Sequence, residues 1–207
     1  FGTFDVTYGA TTENTVTAQS TSATIVDSGK CGDNVTYTLD SNGLLTISGS
    51  GDMFKSGIGD SPFRYNSDIK KVVIDEGVTN IGYEAFRACS NLASIKVSNS
   101  VTSIGHSVFY NCGSLTSIEI PAGVTSIGGG AFFCCSSLTS IEIPASVISI
   151  GGSAFDYCSN LNTIYCYKNS TADKYTSYPS TATKVYLDDV TTCLLYTSPS
   201  PRDGLLS

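Results

Sequence analysis

Residues 115–144 read LTSIEIPAGVTSIGGGAFFCCSSLTSIEIP, and the segment LTSIEIP of 115–121 returns unchanged at 138–144. The interval is 23 residues, and it extends in both directions. Cys89, Cys112, Cys135 and Cys158 keep that spacing, each closing a Gly-x-x-Ala-Phe-x-x-Cys block or, at Val108, a close variant of it. A period in the twenties with apolar residues at constant phase marks a chain of stacked coils, each of which buries its apolar side only against its neighbours. The expected fold is a β-rich repeat solenoid, whose function lies on faces running across coils.

Within the unit 127–149 the inward columns are Ile127, Ala131, Phe132, Cys135, Leu138, Ile141, Ile143 and Val147. Ile141 and Ile143 alternate with Ser140 and Glu142 and precede Pro144, the pattern of one short strand per coil, and stacked copies of it make a parallel sheet. Pro121 and Pro144 lack an amide hydrogen and are expected to end the strand. Gly82, Gly105, Gly128 and Gly151 follow the inward Ile of each turn, where a residue without Cβ is expected to adopt positive φ.

Full units run over 81–103, 104–126, 127–149 and 150 to about 167, preceded by a half unit from Ile69 that lacks the Phe and Cys part. Ahead of it, Val35, Tyr37 and Leu39 alternate with polar residues, Asp40-Ser41-Asn42-Gly43 supplies a turn, and Leu45 and Ile47 resume the alternation, which predicts a β-hairpin over the open first coil. Beyond the array, a short helix over 171–178 and a strand over 184–187 are expected to close the far end. The resulting division is a disordered Ser/Thr-rich leader at 1–28, a hairpin cap and loop at 29–68, the repeat array at 69–168, a carboxy-terminal cap at 169–192 and a non-native tail at 193–207. The tail contains CLLYTSPSPRD, which resembles a translated sequencing adapter at the end of a metagenomic contig. The chain starts at Phe1, and residues 1–28 lack the basic start and apolar block of a signal peptide, so it reads as a fragment.

Leu115, Ile118, Ile120, Pro121, Val124, Ile127, Gly128, Ala131, Phe132 and Cys135 match in register the pattern Leu-x-x-Ile-x-Ile-Pro-x-x-Val-x-x-Ile-Gly-x-x-Ala-Phe-x-x-Cys. The units therefore resemble the BspA-like leucine-rich repeats of bacterial surface proteins. Cys31-Gly32-Asp33-Asn34 through Gly49 resembles the leader hairpin that precedes such arrays. The resemblance implies a leucine-rich repeat array of 23-residue coils with a short parallel β-sheet, an amino-terminal β-hairpin cap and an atypical carboxy-terminal cap. It departs from the pattern at Val108, at Ser98, which replaces Pro, and at Tyr165-Cys166-Tyr167, which puts the last strand's end in question.

The chemistry-bearing residues are few. The repeating cysteines point inward as a ladder of free thiols acting as small apolar groups, since parallel neighbours about 4.8 Å apart do not suit a disulfide's Cβ separation of about 3.8 Å, and a row of sulfurs is not a tetrahedral zinc site. Cys134 is expected to face outward and Cys166 inward. His106 is the single histidine, in a turn position held by Tyr83, Gly129 and Gly152 in sister units, with no converging nucleophile and orienting group, so no catalytic residue is assigned. No cofactor or metal is expected, and calcium on Glu119 and Glu142 is a minor alternative.

Charged residues make up 14% of the chain, with 11 basic against 18 acidic and a net charge of −7, which leaves no basic footprint for nucleic acid. No apolar run approaches membrane-spanning length. The candidate ligand face is the outward strand column Val73, Lys96, Glu119, Glu142 and Tyr165 with Lys71 beside it; the alternative is that these are merely solvated positions. A second candidate is an aromatic patch of Tyr110, Phe133 and Tyr157, able either to stack on sugars and anchor protein partners or to pack on itself. With the family resemblance, these features imply an extracellular or cell-surface module for adhesion to a host or neighbouring-cell surface protein or glycan. The rivals are a structural spacer and an accessory part of a larger secreted hydrolase.

Overall fold

The computed structural model describes residues 23–54 and 61–188. The hairpin is strands β2 (Val35–Asp40) and β3 (Leu44–Gly49), preceded by β1 (Ile25–Lys30) and followed by the short β4 (Gly51–Asp52). Each coil then contributes two strands: β5 (Lys71–Ile74) with β6 (Val78–Ile81), β7 (Ser94–Val97) with β8 (Ser103–Ile104), β9 (Ser117–Ile118) with β10 (Ser126–Ile127), and β11 (Ser140–Glu142) with β12 (Ser149–Ile150). Strand β13 (Thr163–Cys166), helix α1 (Thr171–Lys174) and β14 (Thr183–Tyr186) complete the chain's described part.

Three sheets result, ordered β1-β2-β3-β5-β7-β9, β12-β10-β8-β6-β4 and β11-β13-β14. The first and third continue one another through the parallel bridge Glu119–Glu142. One strand per coil is expected from the alternation at Ile141 and Ile143; the second ladder arises because Ser-Ile pairs at 103–104, 126–127 and 149–150 stack in register with Asn80–Ile81. On the third side the Phe-containing turns also hydrogen-bond coil to coil, Phe86 N to Val108 O, Phe109 N to Ala131 O and Phe132 N to Ala154 O, without forming strands.

The core is a set of columns parallel to the solenoid axis. Phe63, Phe86, Phe109, Phe132 and Phe155 are fully buried and stack ring on ring at 5.6, 5.7, 5.3 and 5.4 Å. Tyr37 meets one end of the stack edge-on at 4.8 Å, and Tyr178 and Tyr175 cover the other at 5.3 and 6.0 Å, so both caps terminate it with an aromatic ring.

The structure corrects several expectations. Phe63 stands 23 residues before Phe86, so the first unit carries its Phe; the Ala and Cys positions depart, being Pro62 and Asn66. Residues 25–28, placed in a disordered leader, belong to β1, which pairs antiparallel with β2; residues 1–22 and 189–207 lie outside the described residues. The helix is a single turn, since Tyr175 leaves helical geometry, and the departure at Tyr165-Cys166 is a strand that runs through Cys166 and pairs with β14. Gly82, Gly105, Gly128 and Gly151 are not at positive φ. They are glycine because an added Cβ would lie 2.1–2.7 Å from the backbone of the preceding coil. Left-handed backbone instead recurs two residues later, at Glu84, Ser107, Gly130 and Ser153, and again at Ala88, Asn111, Cys134 and Tyr157.

Candidate recognition surface

Strand pairing fixes the outward columns. Lys71 is in register with Ser94 and Val73 with Lys96, Ser94 with Ser117, Glu119 with Glu142, and Glu142 with Tyr165. The candidate face is thus assembled on one surface: Lys71, Lys96, Glu119 and Glu142 are exposed, Val73 and Tyr165 half-buried. Ion pairs among the described residues join Arg64 and Arg87 to Glu84 and Lys184 to Asp173, and none involves Lys71, Lys96, Glu119 or Glu142. An open depression of about 540 Å³ lies on the amino-terminal part of this face against Val73, Asp75, Lys96, Ser98, Asn99 and Glu119. Glu76, at its edge, accepts a hydrogen bond from Asn99 N at 3.2 Å.

The aromatic patch is brought together, but its rings face each other. Tyr110 and Phe133 stack at 4.7 Å with planes 5° apart, Arg87 covers the Tyr110 ring at 4.3 Å, and Phe133 meets Tyr157 at 4.9 Å. Stacking along the axis leaves mainly ring edges of Tyr110 and Phe133 to solvent, while Tyr157 stays 71% exposed. Sugar stacking needs a free ring face, which only Tyr157 retains.

Glu84 is the residue that sequence reading missed. Its carboxylate is buried and receives Arg64 at 2.8 Å and Arg87 at 2.6 Å. The signal was present: Arg64 and Arg87 are 23 residues apart, and Glu84 is three before Arg87. The nearby Arg87 and Arg64 guanidiniums favour the ionised form of the exposed Tyr65 hydroxyl and hold its pKa below the usual tyrosine value.

His106 Nδ1 lies 2.8 Å from the Ser107 hydroxyl, and its ring stacks on Tyr83 at 5.5 Å. Ser107 is buried at its left-handed position, under the next coil's Gly130, and so is removed from any substrate. Among the described residues, no group of three His, Cys, Asp or Glu side chains is arranged to hold a metal ion, and no helix is long and apolar enough to cross a membrane.

The described cysteines are free. Cys89, Cys112, Cys135 and Cys158 are fully buried, and each S–H donates to the carbonyl of the Phe one coil back, Phe63, Phe86, Phe109 and Phe132, at 3.0–3.1 Å. Burial pushes the Cys89 and Cys158 thiols up to about 12 and raises those of Cys112 and Cys135 as well. The thiols are therefore polar ties between coils as well as small apolar fillers. Cys134 is half-buried and Cys166 buried.

The model of the BspA type leucine rich repeat region matches residues 56–181 in six copies. No curated protein matches the chain. Among solved structures, a leucine-rich repeat protein from Eubacterium ventriosum is 27% identical with a TM-score of 0.58, over 76% of this chain and 52% of that one. The T. pallidum leucine-rich repeat protein is also 27% identical, with a TM-score of 0.50 over 62% of this chain and 67% of that one. The pneumococcal vaccine antigen PcpA, 18% identical with a TM-score of 0.51 over 77% of this chain and 43% of that one, shares the fold. This chain thus spans about half the length of the E. ventriosum protein. With the family's repeat matched over 126 consecutive residues and its Phe, Cys and Ile columns seated inward, the chain belongs to the BspA-type leucine-rich repeat family.

Proposed function

We propose that this chain is a non-catalytic recognition module of an extracellular or cell-surface bacterial protein, and that its outward strand face binds a surface protein or glycan of a host or neighbouring cell. One observation carries the reading. Lys71, Val73, Lys96, Glu119, Glu142 and Tyr165 lie on a face continuous across coils, and its four charged side chains are exposed and without ion pairs among the described residues. A rigid backbone repeat holds them at fixed spacing, so binding an extended partner costs little reorganisation on this side.

The test is binding of the purified chain to immobilised matrix proteins and a glycan panel, beside the variant Lys96→Ala/Glu119→Ala/Glu142→Ala/Tyr165→Ala. The expected result is at least a tenfold loss of affinity with circular dichroism unchanged. Undiminished affinity would move the site off this face, and a chain that binds nothing is a spacer.

A further inference from the structure

Resting on the reading that the strand face is the binding surface, we infer that the cleft where β7 and β9 part is its anchoring site. Its occupant is an extended polypeptide segment of the partner, with one aliphatic side chain seated in the cleft between basic neighbours. Three observations lead there. The first is a break in the ladder. Strands β5 and β7 stay in register over four residues, from Lys71 opposite Ser94 to Ile74 opposite Val97, whereas β7 and β9 pair only at Ser94 with Ser117 and Ile95 with Ile118. The second sheet has no such interruption, since β12, β10, β8, β6 and β4 follow one another in an unbroken order. The coils are thus held together behind the cleft and open in front of it, and the depression of about 540 Å³ lies there against Ile95, Val97 and Pro121.

The second observation is that the core shows through at this place. Ile95 and Ile118 are 7% exposed and Ile120 5%, where Val72, Ile74, Ile141, Ile143 and Ile164 in the same two inward columns are at 2% or less. Val97, in register with Ile74, is only half-buried. Exposure therefore peaks on the two coils that border the cleft, and the aliphatic groups bared there are stabilised by being covered. An aliphatic side chain fits this floor, whereas a sugar face calls for an aromatic ring that the cleft does not supply.

The third is the chemistry of the main chain and the rim. At both ends of the array the residue after the strand donates across the ladder, Asp75 N to Ile47 O and Leu187 N to Cys166 O, both at 2.9 Å. The residue equivalent to Asp75 on the far side of the cleft is Pro121, which has no amide hydrogen and cannot make that donation to Val97 O. A backbone acceptor beside bared aliphatic groups is what an extended peptide satisfies, with its N–H on the carbonyl and its side chain in the depression. The charges agree, because Asp75, Glu76 and Glu119 outnumber Lys96 around the depression, and basic residues flanking the aliphatic one complement them.

The probe is the fluorescein-labelled peptide Lys-Thr-Ile-Thr-Lys, whose Ile and Lys side chains share one face when extended, read by anisotropy. Beside it stand a peptide with Ser for Ile and one with the Ile amide N-methylated. The first is expected to bind the intact chain, and the other two about fivefold more weakly or worse. With the unaltered chain, backbone amide shifts on titration are expected to move at Lys96, Val97, Ser98, Asn99, Glu119 and Ile120. Val97→Ser is expected to lose about fivefold in affinity, and Ile148→Ser, which removes an aliphatic group exposed beside β12, less than about twofold. Equal losses in the two variants, shifts centred away from the cleft, or either control peptide binding as well as the first would overturn the inference. So would a first peptide that does not bind. In any of these cases, a matrix protein or glycan whose binding is lost in the Ala variant of the strand face leaves that face as the binding surface with another anchor, whereas no ligand at all removes both.

Discussion

Phe132 has no accessible surface and lies between the rings of Phe109 and Phe155, in contact with both along the stack. Phe132→Ala opens a cavity that the neighbouring coils cannot fill without breaking their own ladder, so it is expected to destabilise the chain by about 3–5 kcal/mol. A denaturant midpoint equal to that of the unaltered chain would contradict the inward column. Two glycines of adjacent positions separate close approach from simple lack of a side chain. At Gly128 a Cβ would lie 2.5 Å from His106 N and 2.6 Å from the Gly105 carbonyl, so Gly128→Ala is expected to cost about 1–3 kcal/mol through forced separation of two coils. At Gly152 a Cβ meets nothing within 4 Å and φ is not positive, so Gly152→Ala is expected to be neutral or to stabilise by about 0.4–1 kcal/mol. Thermal unfolding of the pair should move in opposite directions; equal shifts would show that the tight contact at Gly128 is relieved at no cost.

The thiol column behaves as an element of its own. Each buried S–H satisfies a Phe carbonyl that also accepts the amide three residues on in its own coil, Asn66 N at Phe63 O and a Cys amide at Phe86, Phe109 and Phe132, so one carbonyl ties two successive units. The cause of the raised pKa values is first of all burial, which disfavours the thiolate. The unfolded chain then ionises near the ordinary value of about 9 while the folded chain stays neutral until about 12. Stability from this term is complete below pH 9 and is lost as the pH climbs from 9 towards 12, the direction required when the folded pKa is the higher one. Denaturation followed between pH 7 and 11 should show a flat limb and then a fall, and a stability that rises above pH 9 would contradict the buried thiols. In native buffer only half-buried Cys134 among the described cysteines is expected to react with a thiol reagent at an appreciable rate.

At the scale of the whole molecule, a solenoid is two ends and a repeat, and the ends decide its solubility. The turn-side amides of each coil donate to the carbonyls of the next, Glu84 N to His106 O and Cys134 N to Asp156 O, so the last coil has no successor to receive them. Tyr175 takes that role: its hydroxyl accepts from Ala154 N and donates to Gly151 O, both at 3.1 Å, while α1 buries Ala172. Asp173 receives Tyr186 Oη at 2.9 Å and Asn169 N at 2.9 Å and pairs with Lys184 at 3.6 Å, which locks helix and last strand together. Ending the chain at residue 168 exposes Phe155 and the edge of β13, and is expected to yield concentration-dependent association by light scattering. A monomeric, fully folded product would show that 169–188 is not a cap.

How far this was legible depends on the kind of question. A strict 23-residue repeat states which positions share an environment, and the apolar ones among them have one place to go, so Ile127, Phe132, Cys135 and Ile141 could be set inward, and Glu119 and Glu142 outward, from the sequence alone. Repetition is silent on how far apart neighbouring backbones run and on the conformation each turn adopts. Those were decided by tertiary stacking. It brought the coils so close at Gly128 that no Cβ fits, moved left-handed backbone to Glu84, Ser107, Gly130 and Ser153, and turned the faces of Tyr110 and Phe133 onto each other. Period and polarity are properties of single residues and survive in the chain as written, whereas contact between coils is a property of pairs and exists only once the coils are stacked.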